Sequence, residues 1–103
     1  MRTVPARWDR AVLVCGKCSK RVGGGFGEDG SMPLAKALRR FLRLKKGRKA
    51  AAGVVEVKCL GLCPKRRVVA IDAARPGEWR LVEPGTALNE IAAALALLPE
   101  DQG

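Results

Sequence analysis

Histidine is absent from this 103-residue chain, and its absence excludes several kinds of site. Without an imidazole there can be no mixed Cys/His zinc site, no Rieske centre and no haem held by histidine. A Ser-His or Cys-His nucleophile pair is excluded as well, which argues against a hydrolase. Asp72 and Glu90 show no paired-carboxylate pattern for acid–base catalysis. We therefore do not expect an enzyme.

Aromatic residues and long apolar runs are scarce. Aromatics make up 4% of the chain, with no Tyr, although 48% of the residues are apolar. The core must therefore be mainly Val, Leu, Ile and Ala, with Trp8 and Trp79 inside it or at its rim. The first ten residues lack the apolar segment of a signal peptide, and the apolar run at residues 91–98 is too short to cross a bilayer. We expect a single domain over residues 1–103, with its core at about 10–98, no membrane span and a cytoplasmic location.

Acidic residues are fewer than basic residues in this chain. The chain has 20 Lys and Arg against 10 Asp and Glu, a formal net charge of +10. Such a balance suggests an anionic partner, which could be nucleic acid, an acidic protein or an acidic membrane surface. A basic helix is the candidate partner-binding element, with Lys36, Arg39, Arg40, Arg43, Lys45 and Lys46. Few aromatic side chains interleave with these residues, so nucleic acid is the less favoured partner.

Apolar periodicity and turn residues predict six elements in the order β-α-β-β-β-α. The strands are predicted at residues 11–15, 53–59, 66–73 and 77–84, with a glycine-rich loop at 22–30. One helix is expected between a Ser31 cap and Gly47, and another from a Thr86 cap to Leu98. A βαβ start implies a parallel first pair of strands, to which a hairpin adds antiparallel strands. The predicted fold class is an α/β sandwich with a mixed four-stranded sheet.

The four cysteines form two close pairs, each at the end of a predicted strand. The pairs are Cys15 and Cys18, separated by two residues, and Cys59 and Cys63, separated by three. Because parallel strands end at the same edge of a sheet, the topology should bring all four together. Thiolate-only ligation suits Zn or an iron–sulfur cluster. Gly16 and Gly61 would let the backbone turn and direct N–H groups at sulfur.

Two other interpretations of the cysteines stay open. Cys15 and Cys18 could be the dithiol of a thiol–disulfide oxidoreductase, although that motif usually opens a helix and Gly23 to Gly25 would interrupt a long one. Alternatively, all four cysteines could hold zinc in a basic module that binds nucleic acid or protein. In a reducing compartment, paired cysteines hold metal or do redox work more often than they form structural disulfides.

The segment "CLGLCPKRRVVAI" after the second strand carries a family resemblance. A strand ending in Cys15, a helix, a strand leading into this segment, a hairpin and a final helix together resemble the thioredoxin-like [2Fe-2S] ferredoxins and the related subunit of respiratory NADH dehydrogenase. The resemblance covers roughly residues 10–98. It implies a thioredoxin-like fold, a [2Fe-2S] cluster held by four cysteines, electron transfer without substrate turnover, and pairing as a homodimer. The gap between Cys15 and Cys18 is shorter than usual there, and is similar to that in a group of predicted metal-binding proteins with the same fold.

Basic residues flank both cysteine pairs. They are Lys17, Lys20, Arg21, Lys58, Lys65, Arg66 and Arg67. A cluster bound by four thiolates is anionic, so nearby cations favour its reduced state and should raise its reduction potential. Because the chain itself is basic, the expected partner is an acidic redox protein that is steered by charge.

Overall fold

The structure, a computed structural model, describes residues 1–97 of the chain. Its strands and α-helices follow one another as β1 (Arg10–Cys15), α1 (Gly16–Arg21), α2 (Leu34–Phe41), β2 (Ala52–Val57), β3 (Val68–Asp72), β4 (Trp79–Val82) and α3 (Leu88–Ala94). A short 3-10 turn, Gly47–Lys49, precedes β2. No helix in this part of the chain is long and apolar enough to cross a membrane. Leu98, the end of the last predicted helix, lies outside the described residues.

The strands form one mixed sheet in the order β2-β1-β3-β4. β1 runs parallel to β2, with Cys15 opposite Val57, and β3 is antiparallel to both β1 and β4. The predicted fold class, an α/β sandwich with a mixed four-stranded sheet, is confirmed. The ends of β1 and β2 and the start of β3 lie together, and we call this side of the sheet the cysteine edge.

The core is aliphatic, as the composition predicts. The two central strands supply fully buried valines, and α2 packs against β2 and α3. The main buried side chains are Val12, Val14, Leu34, Leu38, Val68, Val69, Ile91 and Leu95. Trp8 and Trp79 are 37% and 42% exposed, so both lie at the rim of the core.

Helix α2 is shorter than the sequence predicts, and this divides the basic segment. The chain leaves the helix after Phe41, because Arg43 takes a left-handed φ of 53°. The N–H groups of Arg43 and Leu44 then donate to the carbonyls of Arg40 and Arg39, which closes a Schellman motif. Lys36, Arg39 and Arg40 lie on α2, whereas Arg43, Lys45 and Lys46 follow it. The prediction of one basic helix with all six residues was wrong, because Arg43 occupies the left-handed position just after the helix, where glycine usually stands.

Neither predicted helix cap is used. The Ser31 hydroxyl donates to Oδ1 of Asp29 at 2.7 Å, and the Thr86 hydroxyl donates to the carbonyl of Glu83 at 2.6 Å. Both groups stabilise turns that precede the helices, and neither helix has a side-chain cap at its N-terminus. Short polar side chains compete for local backbone and turn partners in this way.

The glycine-rich loop at residues 22–30 folds against the core. The Phe26 side chain is 2% exposed, and its backbone forms an antiparallel bridge with Met32 through hydrogen bonds of 3.0 and 2.8 Å. Gly24 lies against the backbone of Ser31, where a Cβ would stand 2.2 Å from the carbonyl oxygen. The connection from α1 to α2 therefore follows a closely packed path.

Candidate metal centre

The two cysteine segments meet at the cysteine edge because β1 and β2 are parallel neighbours. The Lys17 N–H donates to the Lys58 carbonyl at 2.9 Å, which ties the start of α1 to the chain leaving β2. Gly16 lies directly against this chain, and a Cβ there would stand 3.0 Å from the Val57 oxygen. β2 ends at Val57, two residues earlier than the sequence predicts, so Cys59 lies in the segment that follows the strand.

Cys15 and Cys18 are the buried pair, with exposed fractions of 0% and 1%. Cys15 is the N-cap residue of α1, and its Sγ accepts the Cys18 N–H at 3.5 Å. The Ser19 hydroxyl donates to the Cys15 carbonyl at 3.0 Å, which holds the backbone at the strand–helix junction. Both sulfurs therefore have positions that are set by the junction of β1 and α1.

The surroundings of Cys15 and Cys18 shift their pKa values in opposite directions. Burial raises the pKa of the Cys15 thiol, but hydrogen bonds from three backbone N–H groups, including that of Leu60, and from the Cys18 side chain hold it below its ordinary value. Burial also raises the pKa of Cys18, against a hydrogen bond from the Val69 N–H, and the sulfurs of Cys15 and Cys63 raise it further. Cys15 is the more acidic thiol of the pair.

Cys59 and Cys63 belong to a segment, residues 58–67, that is neither helix nor strand. Cys59 is exposed and Cys63 is half-buried. Gly61 has a φ of 88°, and its N–H donates to the Cys59 Sγ at 3.3 Å. The predicted direction of this N–H towards sulfur is therefore present in the structure.

The four thiols do not converge on one point. Among residues 1–97, no group of three or more Cys, Asp or Glu side chains stands close enough together to hold a metal ion. The backbone between Cys59 and Cys63 faces the buried cysteines. The Leu60 N–H donates to Cys15, and the Cys18 thiol donates to the Leu62 carbonyl at 3.6 Å. The structure thus brings Cys15 and Cys18 together, and it leaves Cys59 exposed beside them.

The donor set nevertheless fits a thiolate-bound metal or cluster. All four cysteines are free thiols. Backbone N–H groups point at the sulfurs of Cys15, Cys18 and Cys59, and such donors stabilise thiolates and cluster sulfurs. A four-cysteine site requires Cys59 and Cys63 to turn towards the buried pair, and their segment has no strand or helix that would resist this movement.

The flanking basic residues form an exposed rim around the cysteine edge. All seven are exposed: Lys17, Lys20, Arg21, Lys58, Lys65, Arg66 and Arg67. Arg66 has a φ of 57°, a left-handed conformation that is uncommon outside glycine. The candidate centre therefore combines buried thiols with a positively charged surface around them.

Some contacts of this site have little signal in the sequence. Ser19 is 2% exposed and its role is visible only from its position four residues after Cys15, where a hydroxyl can reach the carbonyl of the preceding turn. The Leu62 carbonyl and the Val69 N–H reach Cys18 only through the fold. Composition and spacing carry no information about such backbone partners.

Comparison of the chain with protein-family models, with curated proteins and with solved structures found no match. The resemblance to the thioredoxin-like [2Fe-2S] ferredoxins therefore stays a prediction from the sequence. What the site can do has to be argued from its thiols, its backbone donors and its charge.

Proposed function

We propose that this protein binds a [2Fe-2S] cluster through Cys15, Cys18, Cys59 and Cys63 and transfers single electrons. The observation that carries the proposal is the parallel register of β1 and β2, which brings two close cysteine pairs to one edge of the sheet. Backbone N–H groups directed at sulfur add to it, because iron–sulfur sites use such donors to tune the cluster. The protein is an electron carrier in this proposal rather than a catalyst.

The residues of the chain have distinct tasks in this function. Cys15 and Cys18 supply a buried half-site that is fixed by α1, and Cys59 and Cys63 complete it from the more exposed segment. The cluster would supply reversible one-electron reduction. The backbone donors balance the negative charge of the thiolates, and the buried half-site keeps water from one side of the centre.

The proposed partner is an acidic redox protein. Leu62 is 43% exposed between the two cysteines of the second pair, and Lys65, Arg66 and Arg67 follow closely in the chain. An apolar contact ringed by cations suits a transient complex that is steered by charge. Paired cysteines in a reducing compartment hold metal more often than they form structural disulfides, so we propose the cytoplasm as the location.

Spectroscopy and metal analysis of one anaerobic preparation test the proposal. We expect visible charge-transfer bands that dithionite bleaches, with iron and acid-labile sulfide in equal amounts. A colourless protein with stoichiometric zinc would replace the cluster with the structural zinc module. Protein that stays free of metal after reconstitution with iron and sulfide would reject both.

A dithiol oxidoreductase is the second candidate, because the Cys15 and Cys18 side chains are in direct contact and Cys15 precedes a helix. The sequence predicts that glycines would interrupt a long helix, and α1 has only six residues. This candidate requires metal-free protein whose Cys15–Cys18 dithiol reduces a disulfide substrate to two thiols and becomes a disulfide itself, an activity that the Cys15→Ser variant should lose. Cys59→Ser should leave the exchange intact, which separates the dithiol from a four-cysteine site.

The basic rim gives a prediction for the reduction potential. Arg66→Asn removes one cation and suits the left-handed backbone at this position. We expect the potential to fall by about 20–45 mV, from Coulomb's law at about 8 Å with an effective dielectric constant of about 40–80. Spectroelectrochemical titration measures it.

The matched control is Arg75→Asn, in the turn between β3 and β4 at the opposite end of the sheet. This substitution makes the same change of charge far from the thiols, so the potential should stay within a few mV. Equal shifts in the two variants, or a rise in Arg66→Asn, would contradict the role of the rim.

A further inference from the structure

A groove of about 730 Å³ runs along the edge strand β2, between this strand and α2. Six basic residues line it, three from α2 and three from the chain that follows: Lys36, Arg39, Arg40, Arg43, Lys45 and Lys46. All six are exposed. We call this feature the β2 groove. The basic residues of α2 and those of the chain after it therefore line one concave surface. The sequence does not indicate this shared surface.

Trp8 adds an aromatic face to the β2 groove. Its indole Nε1 donates to the Gly47 carbonyl at 2.8 Å, which holds the ring at the end of the groove that lies away from the cysteine edge. The ring lies over Gly53 of β2, where a Cβ would stand 2.2 Å from the nearest ring atom. Trp8 is still 37% exposed, so part of a fixed indole remains open to a ligand.

Arg39 is oriented towards the groove by the edge strand. Its Nε donates to the Val54 carbonyl at 3.1 Å, on the side of β2 that has no neighbouring strand. The terminal nitrogens of a guanidinium held in this way carry the donors that bind phosphate oxygens in pairs. This arginine is therefore placed as part of a binding surface rather than as a freely moving surface charge.

The charge of the groove is almost entirely of one sign. Glu56 is the acidic residue in its lining, and it lies at the cysteine edge, with its side chain against Gly16. A concave surface with cations on its walls concentrates the positive potential and attracts anionic ligands. The far end, around Trp8 and Lys46, is the most favourable place for such a ligand.

We propose that the β2 groove binds single-stranded nucleic acid, with the phosphates on the basic residues and a base stacked on Trp8. Cationic grooves with aromatic faces are the common device for binding single strands without sequence preference. An acidic polypeptide would use the cations but would have no base to stack on the indole. This inference does not depend on the metal content of the protein.

Titration of the full-length protein with short labelled oligo(dT) and oligo(rU) tests the proposal by fluorescence anisotropy. Binding should weaken steeply between about 50 and 200 mM salt, as counterion release requires. Lys45→Glu together with Lys46→Glu should weaken binding at least about tenfold. The control, Arg75→Glu with Arg80→Glu, makes the same change of charge at the opposite edge of the sheet, around β4, and should weaken binding less than about threefold.

The indole is tested separately. Trp8→Leu should weaken binding about fivefold or more, and Trp8→Phe should retain most of it, because stacking needs an aromatic face. In a Trp79→Phe background, Trp8 is the remaining tryptophan and bound oligonucleotide should quench its fluorescence. Circular dichroism establishes that each variant is folded, and the lysine variants decide the question if Trp8→Leu unfolds.

Three outcomes would overturn the proposal. Equal loss in the two double variants would mean that binding follows net charge and needs no groove. Competition by poly-glutamate as strong as that of oligonucleotide would assign the surface to an acidic protein. Competition by a nucleoside triphosphate at the same concentration would assign it to a small nucleotide.

Discussion

Cys59→Ser is expected to remove the bound metal and leave the metal-free fold intact. Cys59 is exposed and its sulfur contacts mainly the Gly61 N–H, so its replacement should change the free energy of unfolding of the metal-free protein by less than about 0.5 kcal/mol. The proposed centre, in contrast, needs all four thiolates. Iron, sulfide and zinc content should therefore fall from stoichiometric to near zero, measured on protein reconstituted under the same conditions as the wild type.

Leu62→Ala is the control, because it lies in the same segment and supplies no side-chain ligand. Its metal content should match that of the wild type. Unchanged metal content in Cys59→Ser would disprove the shared four-cysteine site. Loss in both variants would show that the segment is disturbed as a whole and that ligation by Cys59 is not responsible.

Cys18→Ser separates ligation from packing. The Cys18 side chain is 1% exposed and contacts the Leu62 carbonyl and the Val69 N–H, which a shorter hydroxyl cannot reach equally well. We expect this variant to lose metal, and also to lose about 1–2 kcal/mol of stability in the metal-free state. Urea denaturation of metal-free Cys18→Ser and Cys59→Ser should therefore give clearly different midpoints.

The arrangement of the sheet could be predicted because its signals are local and agree with one another. The run that ends at Cys15 and the run before Cys59 are apolar and β-branched, and the stretch between them is long enough for a helical crossover. Parallel pairing then places both cysteine pairs at one edge, as observed. Which strands lie side by side follows from the crossover and the hairpin, and depends little on the details of side-chain packing.

The orientation of the thiols could not be predicted, because it depends on the segment after β2. Two cysteines separated by three residues can turn both sulfurs inward, or can present the backbone as Leu60 and Leu62 do here. The spacing is the same in the two cases. What differs is the set of hydrogen bonds between residues far apart in the chain, such as that between Cys18 and Leu62, 44 positions away.

The β2 groove could not be predicted from the sequence either, because residues far apart in the chain form it. Trp8 and Gly53 are far apart in the sequence, and nothing in either neighbourhood indicates that one packs on the other. The basic run was visible, but its helix was predicted too long because Arg43 adopts a left-handed conformation without glycine. The aromatic face that favours nucleic acid over protein appears only when the N-terminal segment is placed beside β2.

Gly24→Ala is expected to have the largest effect on stability of any single alanine in the glycine-rich loop. Gly24 has a φ of 88°, and an added Cβ would stand 2.2 Å from the Ser31 oxygen and 2.6 Å from the Ser31 carbonyl carbon. Both neighbours are backbone atoms, and the next residue along the chain, Met32, is bonded to the buried Phe26. Left-handed strain of about 1–2 kcal/mol and overpacking of about 1–3 kcal/mol should add.

Gly23→Ala separates the two causes of destabilisation, left-handed backbone strain and overpacking. Gly23 has a φ of 68°, and a Cβ added there would have no neighbouring atom within 4 Å, so only the left-handed strain remains. We expect a loss of about 1–2 kcal/mol for Gly23→Ala and of about 3 kcal/mol or more for Gly24→Ala, from urea denaturation of the metal-free protein. Equal losses would mean that the contact with Ser31 contributes nothing. A smaller loss at Gly24 than at Gly23 would contradict the packed path of the loop between α1 and α2.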